Sequence, residues 1–122
     1  MKLAFSTLAC PDASWRDIYS MASDLGFDGI EVRGLGEDIF AVRARPFTEG
    51  ELPRTLETLR SLNLSIPCFS SDCCLRYGGD QWEQTKADVV SYIRLAARTG
   101  TPFIRILGDH QIEPDGPVDD DA

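Results

Sequence analysis

Three times in this chain a helix-like run stops at a Gly or Asn and a short apolar segment follows at once. The three junctions are "DLGFDGIEV", "SLNLSIPCF" and "RTGTPFIRIL". With "KLAFS" in front of them, they predict the order β-α-β-α-β-α-β, with no hairpin signal between strands. Strands joined through helical crossovers run parallel, and βαβ units are right-handed. Alternating strands and helices therefore predict an α/β chain built on a parallel sheet.

Apolar spacing outlines the helices. The first is expected over 14 to 25, with Trp15, Ile18, Ala22 and Leu25 on one face, Ser14 with Asp17 as a capping box and Gly26 at its end. The second is expected over 49 to 62, with a stripe of Leu52, Leu56, Leu59 and Leu62. Thr48 and Glu51 cap it, and Pro53 lies near its first turn, where a missing N–H costs little. The third is expected over 80 to 99, with Val89, Ile93, Ala96 and Ala97 inward and Gly100 and Pro102 stopping it.

At 122 residues there is room for one domain, expected over 1 to 110. Residues 111 to 122 then form an acidic loop or tail, or else lead into a fourth helix whose N-terminus Asp119 to Asp121 would suit. A net charge of −8 opposes nucleic-acid binding, which needs clustered Lys and Arg. No run of about 18 apolar residues is present, so no membrane span is expected. Ser6, Thr7, Pro11 and Asp12 break up the apolar N-terminal run, which reads better as a strand than as a signal peptide, and the chain is taken as cytoplasmic. Cys10, Cys68, Cys73 and Cys74 have no Cys-x-x-Cys spacing and read as reduced thiols, with Cys68 a small core residue. A single histidine, His110, argues against a zinc finger or ribbon.

Strand alternation then separates two faces. Ile30 and Val32 share one face of the second strand, while Glu31 and Arg33 share the other. In the fourth strand Ile104 and Ile106 oppose Phe103, Arg105 and Leu107, and in the first Leu3 and Phe5 oppose Ala4 and Ser6. An open sheet covered on both faces has near-continuous apolar strands, and this one does not. A barrel does tolerate polar residues on its inner face near the carboxyl ends of its strands. Glu31 and Arg105 then have two readings, a structural ion pair or a pair of substrate contacts. Arg33, at the strand tip beside Gly34, reads as a clamp for carboxylate or phosphate oxygens. Asp72 and Asp109 read as turn residues and His110 as a surface residue. "GLGEDIF" lacks the spacing of a dinucleotide loop.

Taken in order, "KLAFSTLACPD", "LGFDGIEVRG" and "TGTPFIRILGD" resemble the start of the sugar phosphate isomerase/epimerase family, whose fold is the xylose-isomerase-like TIM barrel. The resemblance covers nearly the whole chain. A full barrel takes about 250 residues and eight strands, so it implies the first four strands, a half-barrel. It implies proton transfer next to a carbonyl in a small sugar or sugar phosphate, with a divalent metal (Mn, Mg or Zn) polarising the substrate. It places Glu31, Arg33 and Arg105 on the inner wall as substrate-binding residues. The family's metal ligands lie on later strands, so this chain is expected to bind no metal alone and to be inactive alone. The barrel-sharing DNA-repair endonucleases need several histidines and fit poorly.

Two functions follow as expectations. One is the N-terminal half of such an isomerase/epimerase, completed by a homodimer or a complementary C-terminal half. The other is a non-catalytic half-barrel that binds a small ligand or a partner. An open flavodoxin-like sheet is a third architecture, which would place helices on both faces.

Overall fold

A computed structural model describes residues 1–75 and 80–108. The tail at 111–122, Asp109, His110 and the start of any fourth helix lie outside the described residues. The elements are β1 (Ala4–Ser6), α1 (Trp15–Asp24), β2 (Gly29–Glu31), α2 (Leu52–Ser61), β3 (Cys68–Cys74), α3 (Asp80–Thr99) and β4 (Phe103–Leu107). Single 3₁₀ turns follow β1 at Thr7–Ala9 and precede α2 at Ala41–Arg43 and Arg45–Phe47.

The three junctions share one stereochemistry. Gly26, Asn63 and Gly100 all take left-handed φ, at 75°, 54° and 70°. The next residue in each case donates its N–H back across the helix end: Phe27 to Ala22, Leu64 to Leu59 and Thr101 to Ala96, each at 2.9 Å. This is the Schellman closure, which satisfies carbonyls at the helix end and turns the chain. Each strand is thereby launched in the same direction.

All four strands are parallel, in the spatial order of the sequence. β1 pairs with β2 through Ala4–Gly29, Phe5–Ile30 and Ser6–Glu31, and β3 with β4 through Cys68–Phe103, Phe69–Ile104 and Ser70–Arg105. Parallel bridges Gly29–Ser65 and Val32–Phe69 join the two ladders. Four backbone hydrogen bonds hold that seam: Ser65 N–H to Asp28 O at 3.1 Å, Ile30 N–H to Ser65 O at 2.9 Å, Val32 N–H to Cys68 O at 3.1 Å and Ser70 N–H to Val32 O at 2.8 Å. At Gly29 a Cβ would meet Ser65 O at 2.9 Å, so glycine lets β2 and β3 approach there.

Helices cover one face of the sheet. Ile30, Val32 and Phe69 are fully buried there against Ile18 and Ala22 of α1, Leu52 and Leu59 of α2, and Tyr92, Leu95 and Ala96 of α3. Burial of each large side chain contributes about 1.5–3 kcal/mol. A chain of edge-to-face rings crosses this layer, from Trp15 to Phe47 at 5.6 Å, Phe47 to Phe69 at 5.3 Å, and Phe40 to Tyr92 at 5.2 Å. The opposite face carries Ser6, Glu31, Cys68, Ser70 and Arg105.

Several expectations need correction. α2 begins at Leu52 with Glu51 at its N-cap making no side-chain bond. Thr48 does not cap it, because its hydroxyl donates to Arg45 O at 2.8 Å within the preceding 3₁₀ turn. On α3 the buried stripe is Thr85, Tyr92, Leu95 and Ala96, while Ile93 is 52% exposed and Ala97 is exposed. The stripe is rotated because Tyr92 goes inward, its hydroxyl accepting the buried Ala41 N–H at 3.1 Å. Leu25 is exposed at the helix end, beyond the reach of the sheet. Ile104 packs against the core, but Ile106 is exposed because β4 is an edge strand among the described residues.

Candidate functional site

The polar face is organised around the middle of β3. Ser70 is fully buried, and its hydroxyl donates to Glu31 Oε1 at 2.6 Å. Parallel register sets Arg105 beside Ser70 on one side, and Ser6 beside Glu31 on the other. Glu31 and Arg105 are thus brought together across β3 but are not joined directly. Among the described residues no ion pair links them, and the hydrogen-bonding partner of Glu31 is Ser70. The ion-pair reading of these two residues is set aside on that geometry.

Cys68 lies among the same groups, half-buried, and is not a core residue. Strand alternation sends Phe69 into the helical layer and so turns Cys68 and Ser70 to the polar face. Burial first, and then the Glu31 charge, push the Cys68 thiol up. Hydrogen bonds from the Arg105 backbone and Ser70, and the Arg105 charge, act in the opposite direction. The group is held as a neutral thiol, a poor nucleophile.

Beyond Ser70 the strand bulges. β3 takes four steps from Ser70 to Cys74 where β4 takes two, from Arg105 to Leu107. Ser71 fills the irregularity, its hydroxyl donating to Arg105 O at 2.8 Å and accepting the Cys73 N–H at 3.3 Å. Bulges of this kind occur next to active sites, where they re-aim side chains. Asp72 therefore belongs to a strand and not to a loop after it, and it is exposed at the bulge.

Arg33 stands apart from that cluster. β2 ends at Glu31, Val32 makes a single bridge, and Arg33 follows in a bend. Thr7, 2% exposed, clamps the tips of β1 and β2 together. Its hydroxyl donates to Gly34 O at 2.8 Å and accepts the Arg33 N–H at 3.0 Å. Beside this clamp opens a cleft of about 260 Å³ lined by Thr7, Leu8, Pro11, Arg33, Gly34, Gly36 and Ile39. Arg33 supplies the charge in that lining.

Ser70, Cys68 and Thr7 are absent from the sequence-based set. Reading the third strand as "SIPCF" stops it one residue short of Ser70, and the alternation continued through "CFSSD" is the signal that would have found it.

A divalent metal needs several donors converging on one point. Among the described residues no group of three or more His, Cys, Asp or Glu side chains can hold one. In the cluster around Ser70, Glu31 and Cys68 are the two such side chains. The described residues by themselves do not fit the metal, and no chemistry is routed through it below.

No protein-family model matches the chain, and no curated protein matches it. Among solved structures it is similar to the crystal structure of the probable 3-DHS dehydratase AsbF, involved in petrobactin synthesis, from Bacillus anthracis. The identity is 25% and the TM-score 0.69, over 87% of this chain. The chain spans 38% of that protein's length. That neighbour is a xylose-isomerase-like TIM barrel, and the parallel βα units of this chain match part of it; with helices on one face of the sheet, the flavodoxin-like alternative falls away. The chain has the fold of the first four strands of a xylose-isomerase-like TIM barrel.

Proposed function

We propose that this chain supplies the substrate-holding half of a sugar-processing enzyme. The reaction would be isomerisation, epimerisation or dehydration by proton transfer next to a carbonyl. The observation that carries the reading is Glu31, hydrogen-bonded by Ser70, which Arg105 in turn flanks in register, on the polar face of a TIM-barrel sheet. One oxygen of Glu31 is engaged by Ser70, and the remaining lone pairs can accept from substrate hydroxyls. Arg105 and Arg33 present planar donors to carboxylate, phosphate or carbonyl oxygens. The neutral Cys68 thiol limits competing nucleophilic chemistry on that face. The similarity to a probable 3-DHS dehydratase supports a small, oxygen-rich, anionic substrate. In this reading the metal-holding residues belong to the other half of the barrel, and the protein works in the cytoplasm, where thiols stay reduced.

The test is calorimetric titration of 3-DHS and of an aldose phosphate into the wild type and the E31Q, R33Q and R105Q variants. Turnover is assayed with Mn²⁺ or Mg²⁺, with and without a complementary barrel half. Each substitution is expected to weaken binding about tenfold, equivalent to about 1.4 kcal/mol. Binding unchanged in all three variants would sink the assignment of the polar face. Turnover by the chain alone would overturn the division of labour between halves.

A second reading is a half-barrel that binds its ligand without turning it over. It predicts the same binding losses and no turnover in any pairing.

A further inference from the structure

We propose that the groove between α1 and α2, on the outer side of the helical layer, binds a small multivalent oxyanion. Nothing in the proposed function uses this groove. It has a volume of about 330 Å³, and three arginines from three separate elements converge on it: Arg16 of α1, Arg45 of the 3₁₀ turn and Arg54 of α2. Trp15, Tyr19 and Thr55 also line it.

The chain as a whole carries −8, so a local excess of positive charge stands against the background. Glu51 is the one carboxylate in the lining. It meets Arg45 only loosely, at 3.7 Å, with the Arg45 side chain 85% exposed. Among the described residues, neither Arg16 nor Arg54 is paired with a carboxylate. Three like charges brought together repel one another, and an anion bound among them removes that repulsion. A guanidinium trio selects oxyanions able to take several paired N–H donors, such as pyrophosphate or a tricarboxylate, over a single chloride.

The scaffold beneath the arginines is fixed. The Thr55 hydroxyl donates to Pro46 O at 2.6 Å, tying the turn that carries Arg45 to α2. Trp15 packs edge-to-face on Tyr19 at 5.9 Å and on Phe47 at 5.6 Å, tying α1 to the same turn. An adjoining cleft of about 410 Å³ shares Trp15, Arg16, Arg45 and Pro46 with the groove, and shares Gly36 with the Arg33 cleft. The segment 35–46 is therefore a common wall of both sites. A bound anion braces the Arg45–Pro46 end of this segment, whose Gly36 and Ile39 line the Arg33 cleft.

Trp15 is also a reporter. Of the two tryptophans, Trp82 is on α3, so W82F leaves Trp15 as the sole indole. Sodium pyrophosphate and, separately, sodium citrate are titrated into this variant at low salt and at about 0.15 M salt, where surface attraction is screened. The expected result is a saturable change in Trp15 emission with at least one anion, weakened about tenfold by R16Q/R54Q and unchanged by the distant R98Q. The tighter of the two anions tells phosphoryl from carboxylate chemistry. No saturable change, an equal loss in R98Q, or binding that survives R16Q/R54Q overturns the proposal. R33Q separates the two sites. Loss of pyrophosphate binding in R33Q, with R16Q/R54Q intact, moves the anion to the barrel mouth. That result refutes this site while leaving the proposed function standing.

Discussion

Tyr92 joins α3 to the wall of the candidate site, and replacing it with Phe tests that joint in two ways at once. The ring is fully buried against Phe40 and Phe69, and its hydroxyl accepts the buried Ala41 N–H. Y92F keeps the ring and orphans the N–H. A buried donor left without a partner costs about 1–3 kcal/mol. At this chain length, unfolding entropies near 2.1 cal/mol/K per residue convert that to a Tm lower by about 4–12 °C. The second readout is alkaline. Burial above all, then the Asp72 charge, push the Tyr92 hydroxyl up to about 12, while the Ala41 hydrogen bond lowers it. In the unfolded chain it ionises near 10. Tyr92 therefore contributes its full stability below pH 10, and this is lost as the pH rises towards 12, because the unfolded state gives up its proton first. At pH 11 the loss is about 1.4 kcal/mol. Urea unfolding of both proteins between pH 7 and pH 11 checks this. Other titrating groups cancel in the difference, so the wild-type advantage is expected to shrink by about 1.4 kcal/mol at pH 11. A Y92F protein as stable as wild type at pH 7, or a difference that is flat with pH, would refute the reasoning.

Two further outcomes follow from the sheet. Gly29→Ala is expected to cost about 1–3 kcal/mol, since its Cβ would meet Ser65 O at 2.9 Å and Pro67 Cδ at 3.1 Å and force the β2–β3 seam apart. An unchanged urea midpoint would show that the seam gives way freely. β1 and β4 each pair on one side only among the described residues, and Phe103 and Ile106 of β4 are exposed at 69% and 39%. Such edges invite strand addition, and we propose that a second copy or a complementary half covers them. Light scattering after size exclusion is expected to show association that Ile106→Lys reduces, and a wild-type monomer at every concentration, alone or with such a half, would count against it.

The residues determine much of this locally. A glycine or asparagine that tolerates positive φ, followed by an apolar run, leaves the chain little choice at Gly26, Asn63 and Gly100. The alternation of helix and strand along the chain, and hence a parallel sheet, follows from those three turns. Alternation through "GIEV" is likewise local, so Glu31 opposite Ile30 and Val32 is legible without coordinates. What the chain cannot specify locally is which strand lies beside which and where pairing slips. Register alone sets Ser70 between Glu31 and Arg105, turning an apparent ion pair into a carboxylate held by a hydroxyl. The bulge after Ser70 prolongs β3 past the point where its apolar residues end. The inward rotation of Tyr92 depends on an N–H fifty-one residues away, and the three arginines on the α1–α2 groove are far apart in sequence. Contacts of that kind arise from packing between elements, and only the tertiary structure decides them.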